Sequence, residues 1–249
     1  YLIPRPLDQR LILEIAPAVA QAAMDSGVAS RPIADFSAYR QRLSEFVYNS
    51  ALMMKPIFAQ AKTAPKRIAY AEGEDLRVLR AIQIAVDEGL AQPILVGRTA
   101  VIEANIKKLG LRLEHSVNIT IVDQEKNPDY DKFADDYYNL MQRKGVTPEY
   151  AQRETRRRST LIAAMLVRHG LADGMLCGTY ASYDIHLDFV RNVIGLKEGR
   201  NNFFTLNALM LEDRNIFMAD TYVNTNPTAE QLAEMTILAA EEVRRFGMT

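Results

Sequence analysis

The sequence predicts an α/β fold in which parallel-sheet layers are flanked by helices and preceded by an N-terminal helical segment. Two observations support this prediction. From Lys66 onward, short apolar runs of strand type alternate with longer segments of helical periodicity. Before Lys66, apolar residues recur at helical spacing alone. Alternation of strands and helices is typical of a parallel sheet that helices cover on both faces.

Residues 1–34 are predicted to form a separate helical unit. Asp8 can accept hydrogen bonds from the first turn of a helix, and Gly27 can end that helix. Pro17 lies inside this stretch and predicts a kink or a break. The apolar face of the helix comprises Leu11, Ile12, Ile15, Val19 and Ala22. A second helix is predicted over 35–62.

Turn and cap residues divide the remaining chain into strands and helices. Strands are predicted over 67–71, 93–97, 119–122, 174–177, 203–211 and 216–219, the last two as a hairpin. Helices are predicted over 73–88, 99–109, 129–170 and 226–246. Thr99 and Thr147 are predicted helix caps, and Thr228 with Gln231 forms a capping-box pattern. Gly145 is predicted to interrupt the third of these helices.

Composition and charge exclude several classes of protein. Lys and Arg total 30 and Asp and Glu total 31, so the net charge of −1 argues against a nucleic-acid binder. No apolar run approaches the roughly 20 residues that span a bilayer, so no membrane partner is predicted. The single cysteine, Cys177, excludes an intrachain disulfide and fits a reducing, cytoplasmic location. Cys177 is predicted to be a buried small residue on a strand rather than a nucleophile.

Three loops are candidate binding sites because ligands of parallel α/β folds bind beyond the carboxyl ends of the strands. The first begins at Glu72 and the second is the segment Gly178, Thr179 and Tyr180. The third runs over 220–224 after the last predicted strand. An ordinary connecting loop remains the alternative interpretation for each.

A cluster of arginines is a second candidate. It comprises Arg153, Arg156, Arg157 and Arg158. Guanidinium groups in such a cluster can hold phosphates or the carboxylates of a partner. The alternative is a solvated helix face on which Glu149 and Glu154 neutralise the arginines.

The histidines predict no metal site with typical ligand spacing. His115 and His169 have no second histidine nearby. His186 lies close to Asp184 and Asp188, so a metal cluster is conceivable there. The simpler interpretation is a polar helix start, and we predict no metal ligand.

Three segments resemble the phosphate acetyltransferase (phosphotransacetylase) family in order and spacing. They read AEGEDLR at 71–77 followed by ILVG at 94–97, ADGMLCG at 172–178, and ADTYVN at 219–224 followed by PTAEQLA at 227–233. The resemblance covers about 65–249. It implies two phosphotransacetylase-like α/β subdomains, which we place at 35–145 and, as an incomplete second one, at 146–249.

The beginning of the chain is similar to the closing helix of bacterial malic enzymes. The matching segments are YLIPRP at 1–6, IAPAVA at 15–20 and SGVA at 26–29. A malic enzyme ending joined to a transacetylase-like region is the arrangement of the large bacterial NADP-dependent malic enzymes. Residues 1–34 would then be the end of the malic enzyme domain and a linker. We also expect more chain, beginning with a strand, after Thr249.

The malic enzyme resemblance carries implications for cofactors. The parent protein is expected to decarboxylate malate oxidatively to pyruvate with NADP and a divalent metal, Mg or Mn. None of that active site falls within this sequence, so the chain itself is expected to hold no cofactor, no metal and no catalytic residue.

The chain departs from the transacetylase pattern at two cationic positions. Where the family has an arginine in the segment L-R-K-x-K-G, this sequence has Met141. Where a second family arginine precedes a proline, it has Asp188 followed by Phe189. Replacing a cation by a neutral or anionic group opposes binding of an anionic substrate.

The resemblance therefore implies a regulatory, oligomer-forming region that binds acetyl-CoA or a related acyl-CoA without transacetylase turnover. Alternatives are an active phosphate acetyltransferase and a structural module without a ligand. The expected partners are the acyl-CoA, the malic enzyme domain of the same chain and further copies of the chain. Candidate ligand-binding residues are Glu72, Lys144, Arg156, Gly178, Thr179, Tyr180, Asp220 and Asn224.

Overall fold

A computed structural model describes residues 10–47, 49–211 and 214–247. The helices within these residues are α1 (Arg10–Asp25), α2 (Phe36–Val47), α3 (Asn49–Thr63), α4 (Leu76–Asp87), α5 (Thr99–Leu109), α6 (Tyr130–Met141), α7 (Pro148–Arg157), α8 (Ser159–Arg168), α9 (Tyr183–Phe189) and α10 (Ala229–Arg245). The strands are β1 (Lys66–Tyr70), β2 (Ala91–Val96), β3 (Thr120–Val122), β4 (Gly174–Leu176), β5 (Leu206–Met210) and β6 (Asn215–Ala219). A 3₁₀ turn, Gln142–Lys144, follows α6, and a π-helical turn, Val190–Ile194, follows α9.

The first four strands form one parallel sheet in the order β3-β2-β1-β4. Ala69 of β1 lies opposite Ile94 of β2 on one side and Met175 of β4 on the other. Strands β5 and β6 form a separate antiparallel hairpin, with Ala208 opposite Phe217. The predicted α/β class, the parallel sheet and the hairpin are confirmed.

Apolar side chains fill both faces of the parallel sheet. On β2, Ile94 and Val96 belong to the cluster beneath α6, α7 and α8, whereas Leu95 belongs to the cluster beneath α4 and α5. Successive side chains of a strand point to opposite faces, so one strand serves both clusters. Burying each such side chain fully is worth about 1.5–3 kcal/mol. The sheet is therefore held by two helical layers, as the alternation predicted.

Two compact units divide the chain. One comprises 59–203 and contains the parallel sheet, and the other comprises 1–58 and 204–249. In the second unit α1 packs against α2, and the ring of Phe217 lies 5.7 Å from that of Phe246. The parallel sheet takes strands from both sides of position 146, because β4 pairs with β1. The subdomain boundaries at 34/35 and 145/146 remain predictions.

Local signals for the helices were accurate at most positions. Thr147 caps α7 by accepting from the amide of Tyr150 at 3.2 Å, and the capping box of Thr228 and Gln231 opens α10. The predicted cap at Thr99 is wrong: Arg98 holds the cap position, and the Thr99 amide donates to Asp123 Oδ2 at 2.9 Å. No helix in the described part of the chain is long and apolar enough to cross a membrane.

Two further differences between the predicted and the observed helices occur at Pro17 and Arg158. Helix α1 continues through Pro17, whose side chain is buried, rather than breaking there. The predicted helix over 129–170 is three helices, because Arg158 adopts extended backbone between α7 and α8 in addition to the interruption at Gly145.

Candidate functional site

The loops at the carboxyl edge of the parallel sheet surround a cleft of about 530 Å³. Its lining comprises Ala71, Glu72, Gly73, Glu74, Asp75, Val96, Gly97, Arg98, Gln124, Arg156, Arg157, Ser159 and Tyr180. These residues lie at or beyond the carboxyl ends of β1, β2, β3 and β4 or at the junction of α7 and α8. We call this space the carboxyl-edge cleft.

Glu74 ties the loop after β1 to the loop after β2. Its Oε1 accepts from the Arg98 amide at 2.8 Å and from Arg98 Nε at 2.9 Å, while Oε2 accepts from Nη2 at 2.8 Å. Asn105 Nδ2 donates to the Glu74 carbonyl at 2.9 Å. The Arg98 guanidinium lowers the pKa of Glu74. Both charges are thus satisfied within the cleft wall.

Glu72 and Asp75 tie the same loop to the one after β4. Glu72 is buried, and its Oε1 accepts from the Gly178 amide at 2.9 Å. Asp75 caps α4 through the Arg77 amide at 2.7 Å and also binds the Arg77 guanidinium. Arg77 in turn donates to the Thr179 carbonyl at 3.2 Å. The acidic residues of 71–77 therefore connect the loop after β1 to the loops after β2 and β4.

Two glycines permit this close approach. A Cβ at Gly73 would lie 2.8 Å from the Val96 carbonyl oxygen, and one at Gly97 would lie 2.9 Å from Glu74 Cγ. Real Cβ atoms do not approach backbone so closely, so any other residue at Gly73 would push the first two strand ends apart.

The arginines of the cluster differ in the partners that engage them. Arg158 Nε binds Glu154 Oε2 at 3.0 Å, Arg156 lies 4.4 Å from the ring centre of Tyr130, and Arg153 lies 5.0 Å from that of Tyr150. Arg156 and Arg157 both line the cleft. Arg157 makes no hydrogen bond or ion pair with another residue of the described part of the chain. The solvated-face interpretation therefore fits only part of the cluster.

The first turn of α8 forms the wall beside Arg157. Ser159, which lines the cleft, is the first residue of this ten-residue helix, and no side chain caps its end. The first amides of a helix have no partner within the helix, and the helix dipole makes this end favourable for anions. The cationic side of the cleft thus combines one available guanidinium with a helix N-terminus.

Tyr180 forms an aromatic wall of the cleft. Its side chain is 59% exposed and lines the cleft. The preceding residue, Thr179, has a buried hydroxyl without a hydrogen-bond partner among the described residues. Gly178 adopts a φ of 106°, which favours glycine.

Histidine and cysteine predictions have different outcomes. The polar helix start predicted around His186 is confirmed, because α9 begins at Tyr183 with Asp184 in its first turn, although His186 itself is buried and bonds to Thr160 and Tyr180. No group of three or more His, Cys, Asp or Glu in the described ranges could hold a metal ion. Cys177 is exposed, so its predicted burial is wrong. Partial desolvation of the thiol, with the nearby Glu72 carboxylate, raises its pKa to about 11, which disfavours the nucleophilic thiolate.

The remaining predicted residues are not among those that line the cleft. Lys144 Nζ donates to Asn192 Oδ1 at 2.6 Å. Asp220 and Asn224 are bonded to each other at 2.9 Å, in the loop after β6 of the other compact unit. Ligand binding by the eight predicted residues stays a prediction. The structure brings Glu72, Arg156, Gly178, Thr179 and Tyr180 together at one edge of the sheet.

Sequence reasoning missed Arg98, Gln124 and Ser159 as lining residues. Arg98 and Gln124 follow β2 and β3, so the rule for carboxyl ends would have found them had it been applied to every strand. Ser159 had no such signal, because neither glycine nor proline marks the break before α8.

A second cavity of about 700 Å³ opens at the amino edge of the sheet. Its apolar lining includes Ile94, Ile119, Leu166 and Leu171, and Arg67, also in the lining, is paired with Asp173. Parallel sheets of α/β proteins bind ligands at the carboxyl edge, so the carboxyl-edge cleft is the candidate site.

Comparison with known proteins gives the class. Residues 52–249 match the family model described as phosphate acetyl/butaryl transferase. The chain therefore belongs to this family. A phosphotransacetylase from Streptococcus pyogenes has the same fold, with a TM-score of 0.69 and 28% identity over 78% of this chain and 60% of that one. The resemblance drawn from the three motifs is confirmed.

Relatives with higher identity are malic enzymes. The chain is 53% identical to the NADP-dependent malic enzyme of Haemophilus influenzae, over 100% of this chain and 33% of that protein. It is 48% identical to the NAD-dependent malic enzyme of Rhizobium meliloti, over 100% of this chain and 32% of that protein. The chain thus spans about a third of the length of these relatives. The second resemblance is confirmed, and the nicotinamide coenzyme differs between the two relatives by name.

Proposed function

We propose that this chain is a regulatory, oligomer-forming region of a malic enzyme. In this proposal it binds acetyl-CoA or a related acyl-CoA in the carboxyl-edge cleft and does not turn it over. The observation that carries the proposal is the pairing of an available cation, Arg157, with the exposed ring of Tyr180 in one cleft.

Acetyl-CoA matches the cationic wall through its phosphates. Arg157 and the first amides of α8 offer hydrogen bonds to phosphate oxygens, and such charge-assisted bonds are stronger than neutral ones. Arg98 and Arg77 lie nearby, but their guanidinium groups are occupied by Glu74 and Asp75. Phosphate recognition therefore falls on the junction of α7 and α8.

The aromatic wall matches the adenine ring. A planar base stacks on an exposed aromatic side chain with little loss of conformational freedom. Tyr180 supplies this surface from a loop whose backbone is held at Gly178 and Thr179. One ligand with a planar ring and phosphates would engage both walls.

Absence of turnover is supported by the two altered positions. Met141 is buried in the core with Phe133 and Tyr137, so this position offers a ligand no cation. Asp188 is exposed on α9 and brings a negative charge instead. Transfer of an acyl group between phosphate and a thiolate needs cations to stabilise the developing charge.

Two other functions are tested alongside. An active phosphate acetyltransferase is favoured by membership of the family. A structural module without a ligand is favoured by exposed apolar side chains of the β5–β6 hairpin, among them Leu209 and Met218, which suit contact with another copy of the chain.

The parent protein is proposed to oxidise malate with NADP and Mg or Mn. The described residues lack a metal-binding cluster, and the sequence has no G-x-G-x-x-G motif. These groups do not fit this chain, so we assign them to the malic enzyme part of the polypeptide.

An assay of transacetylase activity in the full-length protein tests the proposal. The full-length protein is assayed for acetyl-CoA formation from acetyl phosphate and coenzyme A, and malate oxidation is measured with and without acetyl-CoA. We expect no transacetylation above buffer and a change in malate oxidation. Turnover in the ordinary enzyme range, about 1–1000 per second, would establish the active transacetylase instead. A complete lack of acetyl-CoA binding would favour the structural module.

The route to the malic enzyme domain is proposed to be α1. Ile15 and Val19 are 53% and 62% exposed on this helix, which suits a contact surface for that domain. Ile15→Asp in the full-length protein should blunt the effect of acetyl-CoA on malate oxidation while leaving acetyl-CoA binding intact. Gln21→Glu adds a similar charge to the same helix outside this stripe and serves as the control. An equal effect of both variants would show that charge alone is responsible.

A further inference from the structure

His186 is a buried histidine to which the proposed function assigns no role. It lies in α9 and is only 7% exposed. Its two ring nitrogens contact two different elements: Nε2 lies 2.8 Å from the Tyr180 carbonyl oxygen and Nδ1 lies 2.9 Å from Thr160 Oγ1. A buried polar side chain with both nitrogens used in this way holds two parts of the structure together.

The directions of the two bonds follow from the partners. A carbonyl oxygen can only accept, so Nε2 carries the hydrogen and donates to Tyr180. In the neutral ring Nδ1 is then an acceptor, and the Thr160 hydroxyl donates to it. The neutral Nε2–H tautomer satisfies both bonds at once.

These bonds join the two walls of the carboxyl-edge cleft. Tyr180 is the aromatic wall, and Thr160 follows Ser159 in the first turn of α8, the cationic wall. The other side-chain bonds to the 178–180 loop come from Glu72, in the loop after β1, and from Arg77, in the first turn of α4. Within the described part of the chain, the hydrogen bonds of His186 link this loop to α8.

We propose that His186 is a positioning residue that sets the distance between Tyr180 and the first turn of α8. It touches no ligand itself. Through this distance it makes the cleft selective for ligands that carry a planar ring and a phosphate group at one spacing. The identity of the ligand as an acyl-CoA rests on the proposed function, whereas the positioning of the loop does not.

Hydrogen exchange tests the positioning in the full-length protein without any ligand. His186→Leu removes both bonds, and His186→Gln keeps a donor that can reach the Tyr180 carbonyl. We expect amides of 178–182 to exchange at least about tenfold faster in His186→Leu, the effect of losing a typical buried hydrogen bond, and His186→Gln to restore much of the protection. Unchanged exchange in His186→Leu would overturn the proposal.

Thr160 provides a matched pair should His186→Leu fail to fold. Thr160→Val keeps the shape and removes the hydroxyl, whereas Thr160→Ser keeps the hydroxyl. Thr160→Val should accelerate exchange in 178–182, which is distant in sequence, and Thr160→Ser should not. Equal exchange in the two variants would contradict a link through His186.

Ligand selectivity provides a readout that a general loss of stability would not move. Acetyl-CoA is compared with acetyl-pantetheine, which lacks the ring and the nucleotide phosphates. His186→Leu should weaken acetyl-CoA binding about tenfold, equivalent to about 1.4 kcal/mol, and leave acetyl-pantetheine unchanged. Equal weakening of both ligands would refute a role in selectivity. If the wild-type protein binds no acetyl-CoA while the exchange pattern holds, the proposed function fails and the positioning of the loop stands.

Discussion

The two compact units differ in how they bury apolar side chains. In the described part of the chain, the side chains of both hydrophobic clusters lie between Ala69 and Val193, within the unit that carries the parallel sheet. In the other unit α10 has no buried residue, and Ile237 on this helix is 58% exposed. The sheet unit thus has an internal core, whereas the other unit presents apolar side chains to its surroundings.

This difference assigns the two units different tasks. A unit with a close-packed interior holds the loops of a binding cleft in fixed positions. Exposed apolar surface on a folded protein marks contacts with other chains or domains. We therefore expect ligand binding from the sheet unit and assembly from the other unit.

The largest loss of stability should come from a substitution that leaves a cavity in the hydrophobic core. Ile102 of α5 is fully buried in the cluster that this helix forms with the sheet, and Ile102→Ala should lower the free energy of unfolding by about 2–5 kcal/mol. The same change at Ile237 should alter it by no more than about 0.5 kcal/mol in the absence of assembly. Urea denaturation of dilute protein measures both, and equal losses would erase the difference between the units.

A smaller loss of stability is expected from a substitution at Gly73, where the carboxyl ends of β1 and β2 approach each other. Gly73→Ala places a Cβ against the Val96 carbonyl oxygen and should cost about 1–3 kcal/mol while loosening acetyl-CoA binding. Gly174→Ala is the matched control, because its nearest atom outside neighbouring residues is Ile68 Cδ1 at 3.5 Å. In thermal melts, Gly73→Ala should unfold at a lower temperature than Gly174→Ala. A tolerated Gly73→Ala would show that the loops can separate.

Acid should weaken the sheet unit through three carboxylates. Hydrogen bonds from Arg77 lower the pKa of Asp75 to about 2, and those from Arg67 do the same for Asp173. Burial by itself would raise the pKa of Asp123. Hydrogen bonds from Thr99 and from the backbone amides of Glu125 and Lys126 outweigh this effect of burial and lower the pKa to about 2.

The three lowered pKa values make the protein less stable in acid. In the unfolded chain these groups titrate near pH 3.9, so their stabilisation is present above about pH 4 and is lost as the pH falls toward 2. Denaturation midpoints between pH 5 and pH 2 should decline, and Asp173→Asn should make the decline shallower. A midpoint that is constant over this range in the wild-type protein would contradict the assigned ion pairs.

Much of the fold was predictable because its signals are local. Periodicity, glycines after helices and the capping pattern at Thr228 lie within a few residues of the structure that they specify. Contacts with partners distant in sequence were not predictable in this way. Arg98, not Thr99, holds the cap position of α5, and the Thr99 amide donates to Asp123, 24 residues later. The buried His186 is hydrogen-bonded to Thr160, 26 residues earlier.

The site was predictable only where a loop follows a strand. Glu72, Gly178 and Tyr180 were found by this rule, although Glu72 braces a loop through the Gly178 amide, a contact 106 residues apart. Ser159 depends on the break between α7 and α8, for which the sequence offers no turn residue. Lys144 was chosen by family resemblance, and the structure pairs it with Asn192 outside the cleft lining.

The central claim is that acetyl-CoA binds in the carboxyl-edge cleft, and titration calorimetry of the full-length protein tests it most directly. The matched variants are Arg157→Gln, within the cleft lining, and Arg153→Gln, on the same helix but stacked on Tyr150. We predict saturable binding that Arg157→Gln weakens about tenfold or more, as expected for a charged hydrogen bond to phosphate, and that Arg153→Gln leaves unchanged. Wild-type protein that gives no binding heat, or equal weakening by the two variants, would contradict the account.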